Sequence, residues 1–142
     1  MNLLGKISVM GFSPQTAKRG HEITERKQKL RDEFEIQNKN ELPQVIKDCK
    51  TKESLKLNVI FKLNTNVENP STFKKDLDNL LKVLLDILPE EMDDATKERG
   101  LGIIQGNEDE RVREIYCRKD FVKNENDEGI IVEFYEFIEK IN

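Results

Sequence analysis

The stretch DLDNLLKVLLD, residues 76–86, sets three carboxylates, one carboxamide and one lysine among leucines and a valine. On a helix Asp78, Lys82 and Asp86 share one face, because four residues are close to one turn, and Asn79 flanks that face. Asp76 and Asp78 are two apart at the point where the helix would begin. In an extended chain end their side chains point the same way. Carboxylates gathered like this repel one another unless positive charge sits between them, and a divalent cation supplies it. Mg²⁺ suits the set, since it takes oxygen ligands, commonly one or two carboxylates completed by water and substrate phosphate. Such an ion orients water, lowers its pKa and stabilises charge on a phosphodiester under attack. Lys82 would then contact the phosphate or hold the carboxylates in place.

The same residues also make an ordinary amphipathic helix. Leu77, Leu80, Leu81, Leu84 and Leu88 fall at helical spacing and would form a core stripe. Asp78 would cap the helix by accepting an early backbone N–H. Lys82 would pair with Asp78 and Asp86 at i,i+4, worth ~0.2–0.5 kcal/mol each. A second acidic patch, Glu108, Asp109 and Glu110, stands immediately before a predicted strand. Strand mouths are natural site positions in α/β folds, although an acidic triplet also reads as a solvated loop.

The elements that must position these patches follow from periodicity. Leu4 to Met10 reads as a first strand, and GFSPQTAKRG after it as a loop holding Lys18, Arg19 and, at its end, the single histidine, His21. A charged helix is expected over about 22–36 and a short one over about 42–48, with Pro43 in its first turn. LKLNVIFKL alternates with a period of two, so Leu55, Leu57, Val59, Phe61 and Leu63 line one face of a strand. The acidic helix ends near Pro89, and about 89–106 reads as an inserted loop. Strands are expected over 111–122 and 130–137, joined as a hairpin through KNENDEG. The set predicts one α/β domain over 1–142, a mixed sheet with packed helices.

The chain has 142 residues, enough for one domain with a real core. Cys49 and Cys117 form neither a zinc spacing nor a disulfide framework, which points to a reduced, cytoplasmic setting. No apolar stretch is long enough for a membrane span. Residues 1–75 hold 15 lysines and arginines against 9 carboxylates, while residues 76–142 hold 9 against 19. A simple nucleic-acid coat would be basic throughout. A nuclease with carboxylates at its centre and a basic rim tolerates this asymmetry.

DLDNLLK-x-x-x-D, followed by an acidic pair and an apolar strand ending in lysine, resembles the RusA family of Holliday junction resolvases. The first family motif matches Asp76, Asp78, Asn79, Lys82 and Asp86. The second matches Glu108, Asp109, Glu110, Arg111 and Val112, and a later family lysine matches Lys119. A weaker likeness lies in GFSPQTAKRG, at Ser13 and Gln15. The likeness runs in order through most of the chain. It departs at Glu108, where the family pair begins with aspartate, and at Arg111, where the family has glutamine.

The resemblance implies a RusA-like fold and a homodimer that cuts four-way DNA junctions by paired symmetric hydrolysis with Mg²⁺, Mn²⁺ serving as a substitute. It implies Asp76, Asp78 and Asp109 as metal ligands and Lys82 as the basic partner near the phosphate. Asn79, Asp86, Glu108, Arg111 and Lys119 become supporting residues. Attack of water at phosphorus would leave a 5′-phosphate and a 3′-hydroxyl. DNA contacts would come from basic residues up to Lys75, namely Lys18, Arg19, Lys27, Lys29, Arg31, Lys74 and Lys75. The last strand and the acidic helix are the candidate dimer surfaces. Two other functions fit the same residues: a weakly catalytic DNA-binding or regulatory module of a mobile element, and a nuclease for flaps or forks.

Overall fold

The computed structural model describes residues 2–14, 21–66, 75–92, 98–104 and 109–139, with the backbone alone at 21–24 and 109. In chain order the elements are β1 (Leu3–Met10), α1 (His21–Gln37), α2 (Leu42–Lys50), β2 (Leu55–Asn64), α3 (Leu77–Ile87), β3 (Val112–Val122) and β4 (Gly129–Glu136). Short 3₁₀ turns at Asp109–Arg111 and Glu125–Asp127 precede the last two strands. The expected α/β domain is therefore present, as a four-stranded mixed sheet with three packed helices.

The sheet order is β1-β4-β2-β3, with β2 and β3 parallel and β4 antiparallel to both β1 and β2. This corrects the expected hairpin of β3 with β4. β4 buries Ile130, Val132 and Phe134 on one face and half-buries Ile131 on the other, so it takes an interior place. β3 carries Arg113, Glu114, Arg118, Lys119 and Asp120, and charge of that density suits an edge strand. The helix α3 supplies the crossover that a parallel β2–β3 pair requires.

Alternation puts Leu55, Leu57, Val59, Phe61 and Leu63 of β2 on the core side, all fully buried. Ile7, Val9, Ile130, Val132 and Phe134 join them from β1 and β4. The helices cover this side through Leu30, Phe34, Val45, Leu80, Val83, Leu84 and Ile87. At Gly5 a Cβ would stand 2.5 Å from Val45 Cγ2, so glycine is what lets α2 lie down on β1. The outer edge of β1 is closed by side chains. Gln37 bonds the Met10 N–H and carbonyl, and Asn38 bonds those of Ser8.

The segment after α3 is no detached insertion where it is described. Leu101, Ile103 and Ile104 are buried in the core. The Leu101 N–H donates to the Ile87 carbonyl at 2.7 Å, the Ile103 N–H to that of Leu88 at 2.9 Å, and Pro89 bridges Ile104.

Candidate functional site

The N-terminus of α3 meets the ends of β1, β2 and β3 and the start of β4. Asp76 occupies the cap position, with extended backbone (φ −68°, ψ 134°), and its carboxylate makes no capping bond. Asp78 is in the first turn rather than at the cap, and its Oδ1 accepts the Asn79 N–H at 3.0 Å. Both carboxylates are exposed, so each keeps lone pairs for a ligand from solvent. Negative charge is also favoured there by the partial positive charge of a helix N-terminus.

Two lysines hold this corner. Lys75 Nζ bonds Ser13 Oγ at 3.3 Å and also the Pro14 carbonyl, tying the α3 entry to the chain leaving β1. From β3, Lys119 Nζ donates to the Lys75 carbonyl at 3.0 Å. Burial pushes the Lys75 ammonium below its usual pKa; nearby Glu128 opposes this shift and Arg26 adds to it. Glu128 is itself buried. Its Oε2 accepts the Asn64 N–H at 3.2 Å, and its carbonyl accepts the N–H groups of Gly11 and Phe12. Sequence reading missed Glu128, because KNENDEG looks like a plain turn. Its one signal is a carboxylate placed directly before the first residue of an apolar strand.

Other expected partners lie elsewhere. Asp109 opens the 3₁₀ turn that leads into β3, where Val112 pairs with the first residue of β2, whereas Lys119 pairs with Phe61. The seven steps from Val112 to Lys119 span roughly 23 Å at the rise of a strand. The backbone at Asp109 thus lies at the end of β3 away from Lys119 and from the Asp76–Asp78 corner. Among the described residues no group of three or more histidine, cysteine, aspartate or glutamate side chains is arranged to hold a metal ion. The donor set at α3 is the two-carboxylate kind that Mg²⁺ completes with water and phosphate.

Lys82 is exposed one turn below Asp78. Asp86, expected to pair with it, instead binds Lys27 of α1 at 2.9 Å. Asn79 is half-buried beside Asp78. Arg111, expected as a supporting residue of the site, binds the carbonyls of Cys49 and Lys52 and so fastens the C-terminal end of α2.

Arg31 is corrected as a DNA contact. It is only 9% exposed, and it bonds Asp32 and the Arg99 carbonyl and pairs with Glu35 and Glu98. Lys27 and Lys75 are engaged as described. Lys29 remains exposed, on a cleft of about 620 Å³ that Phe12, Ser13, Glu25, Arg26, Gln28 and Asp32 also line. Lys18, Arg19, Lys74 and Glu108 lie outside the described residues, as do Gln15 and the side chain of His21.

No protein-family model, curated protein or solved structure matches this chain. Among the described residues, no helix is long and apolar enough to cross a membrane.

Proposed function

We propose that this chain is a Mg²⁺-dependent endonuclease of branched DNA, working in the cytoplasm as a homodimer with one site per copy. The observation that carries the reading is the pair of exposed carboxylates, Asp76 and Asp78, at the start of α3, fixed from both sides by Lys75 and Lys119. Asp76 and Asp78 would hold the cation, with Mn²⁺ able to replace Mg²⁺. A cation held there would neutralise charge on the scissile phosphodiester and ease proton loss from the attacking water. Lys82 supplies a positive charge one turn away, and Arg26 and Lys29 offer cations to the DNA backbone along the neighbouring cleft. Cutting both strands of a four-way junction needs two sites, and a closed two-fold dimer is the commonest way to supply them.

The distance of Asp109 from Asp76 favours one second reading: a module that binds branched DNA without cutting it. Labelled four-way junctions, flaps, forks and matched duplex, with Mg²⁺ or with chelator, separate the readings. Paired nicks that need Mg²⁺ and vanish in Asp78→Asn support the nuclease. Preferential nicking of flaps or forks moves the substrate assignment. Tight junction binding with no nicks in Mg²⁺ or Mn²⁺ leaves the binding module.

A further inference from the structure

The cleft of about 620 Å³ lies between α1 and the chain leaving β1, within the ~300–1,000 Å³ usual for small-ligand sites. Glu25, Gln28, Lys29 and Asp32 form its helical wall, at the i, i+3, i+4 and i+7 spacing of one helix face. Phe12 and Ser13 form the other wall. The cleft adjoins the cation corner, because Lys75, the residue before Asp76, bonds Ser13 Oγ at 3.3 Å. Each wall is fixed by a buried residue. The carbonyl of Glu128, which is 7% exposed, accepts the Gly11 N–H at 2.8 Å and the Phe12 N–H at 3.4 Å. Gly11 makes the left-handed turn there (φ 68°), and Phe12 packs against the core. On the helix, Arg31 holds Asp32 Oδ1 through Nε at 3.0 Å and Nη2 at 2.9 Å, while the Asp32 side chain stays 55% exposed. A ring and a carboxylate already held in place lose little freedom when a ligand docks.

The chemistry of the lining selects the ligand. Glu25 and Asp32 balance Arg26 and Lys29, so the cleft carries no net charge. A track for phosphates alone needs one sign of charge. A nucleobase needs a ring to stack on, with acceptors and donors facing its edge. Guanine uses both signs at once. Its O6 and N7 accept from an arginine, and its N1–H and N2–H groups donate side by side to a carboxylate. Adenine, cytosine and thymine each lack that pair of adjacent donors. In a duplex these groups are spent on the paired cytosine, so only an unpaired guanine can present them.

We propose that the cleft between α1 and the end of β1 binds the base of one unpaired guanine, in the DNA strand that passes the Asp76–Asp78 corner. The base stacks on Phe12. Asp32 accepts from N1–H and N2–H, and Arg26 donates to O6 and N7. The five donors of an arginine leave others for the backbone. Lys29, the exposed cation of the lining, takes the adjoining phosphate. The proposal rests on the branched-DNA reading and deepens it, because bases come unpaired at branch points and not within matched duplex. It is tested without metal, so its failure is distinct from a failure to cut.

The measurement is fluorescence anisotropy on the full chain in chelator, with short labelled oligo-dT strands whose central base is guanine, adenine, cytosine or thymine. The guanine strand should bind about tenfold tighter than the other three, the discrimination of one bidentate base contact. Hypoxanthine, which lacks only the 2-amino group, should lose most of that gain, and 7-deazaguanine part of it. These two changes leave the protein untouched, so no folding defect can mimic them. Asp32→Asn should abolish the preference without weakening the other three strands, since a negative charge has gone. Phe12→Ala should weaken all four, and Phe12→Tyr should restore them. Asp78→Asn should keep the preference. Free deoxyguanosine monophosphate should compete only far above the dissociation constant of the guanine strand. Equal affinity for the four strands overturns the proposal and makes the cleft a backbone track. Equal affinity for guanine and hypoxanthine overturns it as well. So does no binding of any strand, even by a protein that cuts junctions in Mg²⁺. Competition by the free nucleotide at the strand's own dissociation constant overturns the DNA assignment and makes this a nucleotide site.

Discussion

Lys119 Nζ donates a 3.0 Å hydrogen bond to the carbonyl of Lys75, the residue directly before Asp76. The edge strand β3 thus fixes the backbone from which the cap carboxylate projects. Lys119 itself is a positioning residue. Replacing it by methionine removes the bond and leaves both carboxylates in place. We expect the Mg²⁺ concentration for half-maximal cutting to rise several-fold, with most of the rate recovered at high Mg²⁺. The fold should lose about 1 kcal/mol, as for one partly exposed hydrogen bond, and Lys119→Arg should recover part of both effects. An unchanged Mg²⁺ titration in the methionine variant would remove Lys119 from the site.

Arg31 and Lys29 sit two residues apart on α1 and should behave oppositely. The Arg31 guanidinium is buried against Asp32, Glu35, Glu98 and the Arg99 carbonyl. Arg31→Ala leaves the Arg99 carbonyl without its donor and removes the packed guanidinium, and should lower unfolding free energy by about 1–2 kcal/mol. Affinity for guanine-free strands, measured below the melting temperature, should stay the same. Lys29→Ala should leave stability within about 0.5 kcal/mol. It should weaken DNA binding and lower the salt dependence by about one counterion. Equal effects of the two variants on DNA affinity would return Arg31 to the DNA surface.

Periodicity exposed the parts of the fold that local pattern controls. The alternation of LKLNVIFKL and the leucine stripe of α3 gave β2 and α3 nearly to the residue. Strand pairing was not local. β3 and β4 follow one another, yet β2 lies between them, because pairing depends on which strand must be buried on both edges. At the site, Asp76 and Asp78 were visible because two aspartates before a leucine stripe are conspicuous. Arg31 was misread because a buried arginine and a phosphate-binding one are identical letters. The contact that decides between them comes from a residue 68 positions away. Glu128 was invisible for the same reason, its partner Asn64 lying 64 residues away.

Cys49 gives a prediction about pH. Burial, with a smaller contribution from Asp48, pushes its thiol up from 9.0 to about 12. The folded chain therefore keeps this proton while the unfolded chain loses it, so the unfolded state is favoured as pH rises between about 9 and about 12. Wild type should lose stability over that window more steeply than Cys49→Ala, measured as the difference in melting temperature between the two across pH. Native protein treated with iodoacetamide should be alkylated at Cys117 before Cys49, since Cys117 is only half-buried. Equal labelling rates, or parallel pH profiles, would contradict the burial argument.

The separation of Asp109 from Asp76 yields the most informative set of variants. If two carboxylates suffice, Asp76→Asn and Asp78→Asn should each reduce Mg²⁺-dependent cutting by orders of magnitude. Junction binding in chelator should persist or strengthen, because a negative charge near phosphate has gone. Asp109→Asn, made at the far end of β3, should cut at a rate within a few-fold of wild type. A loss in Asp109→Asn as deep as in Asp78→Asn, with the fold intact, would require a three-carboxylate site, and a dimer or a closed conformation that brings the start of β3 to the start of α3.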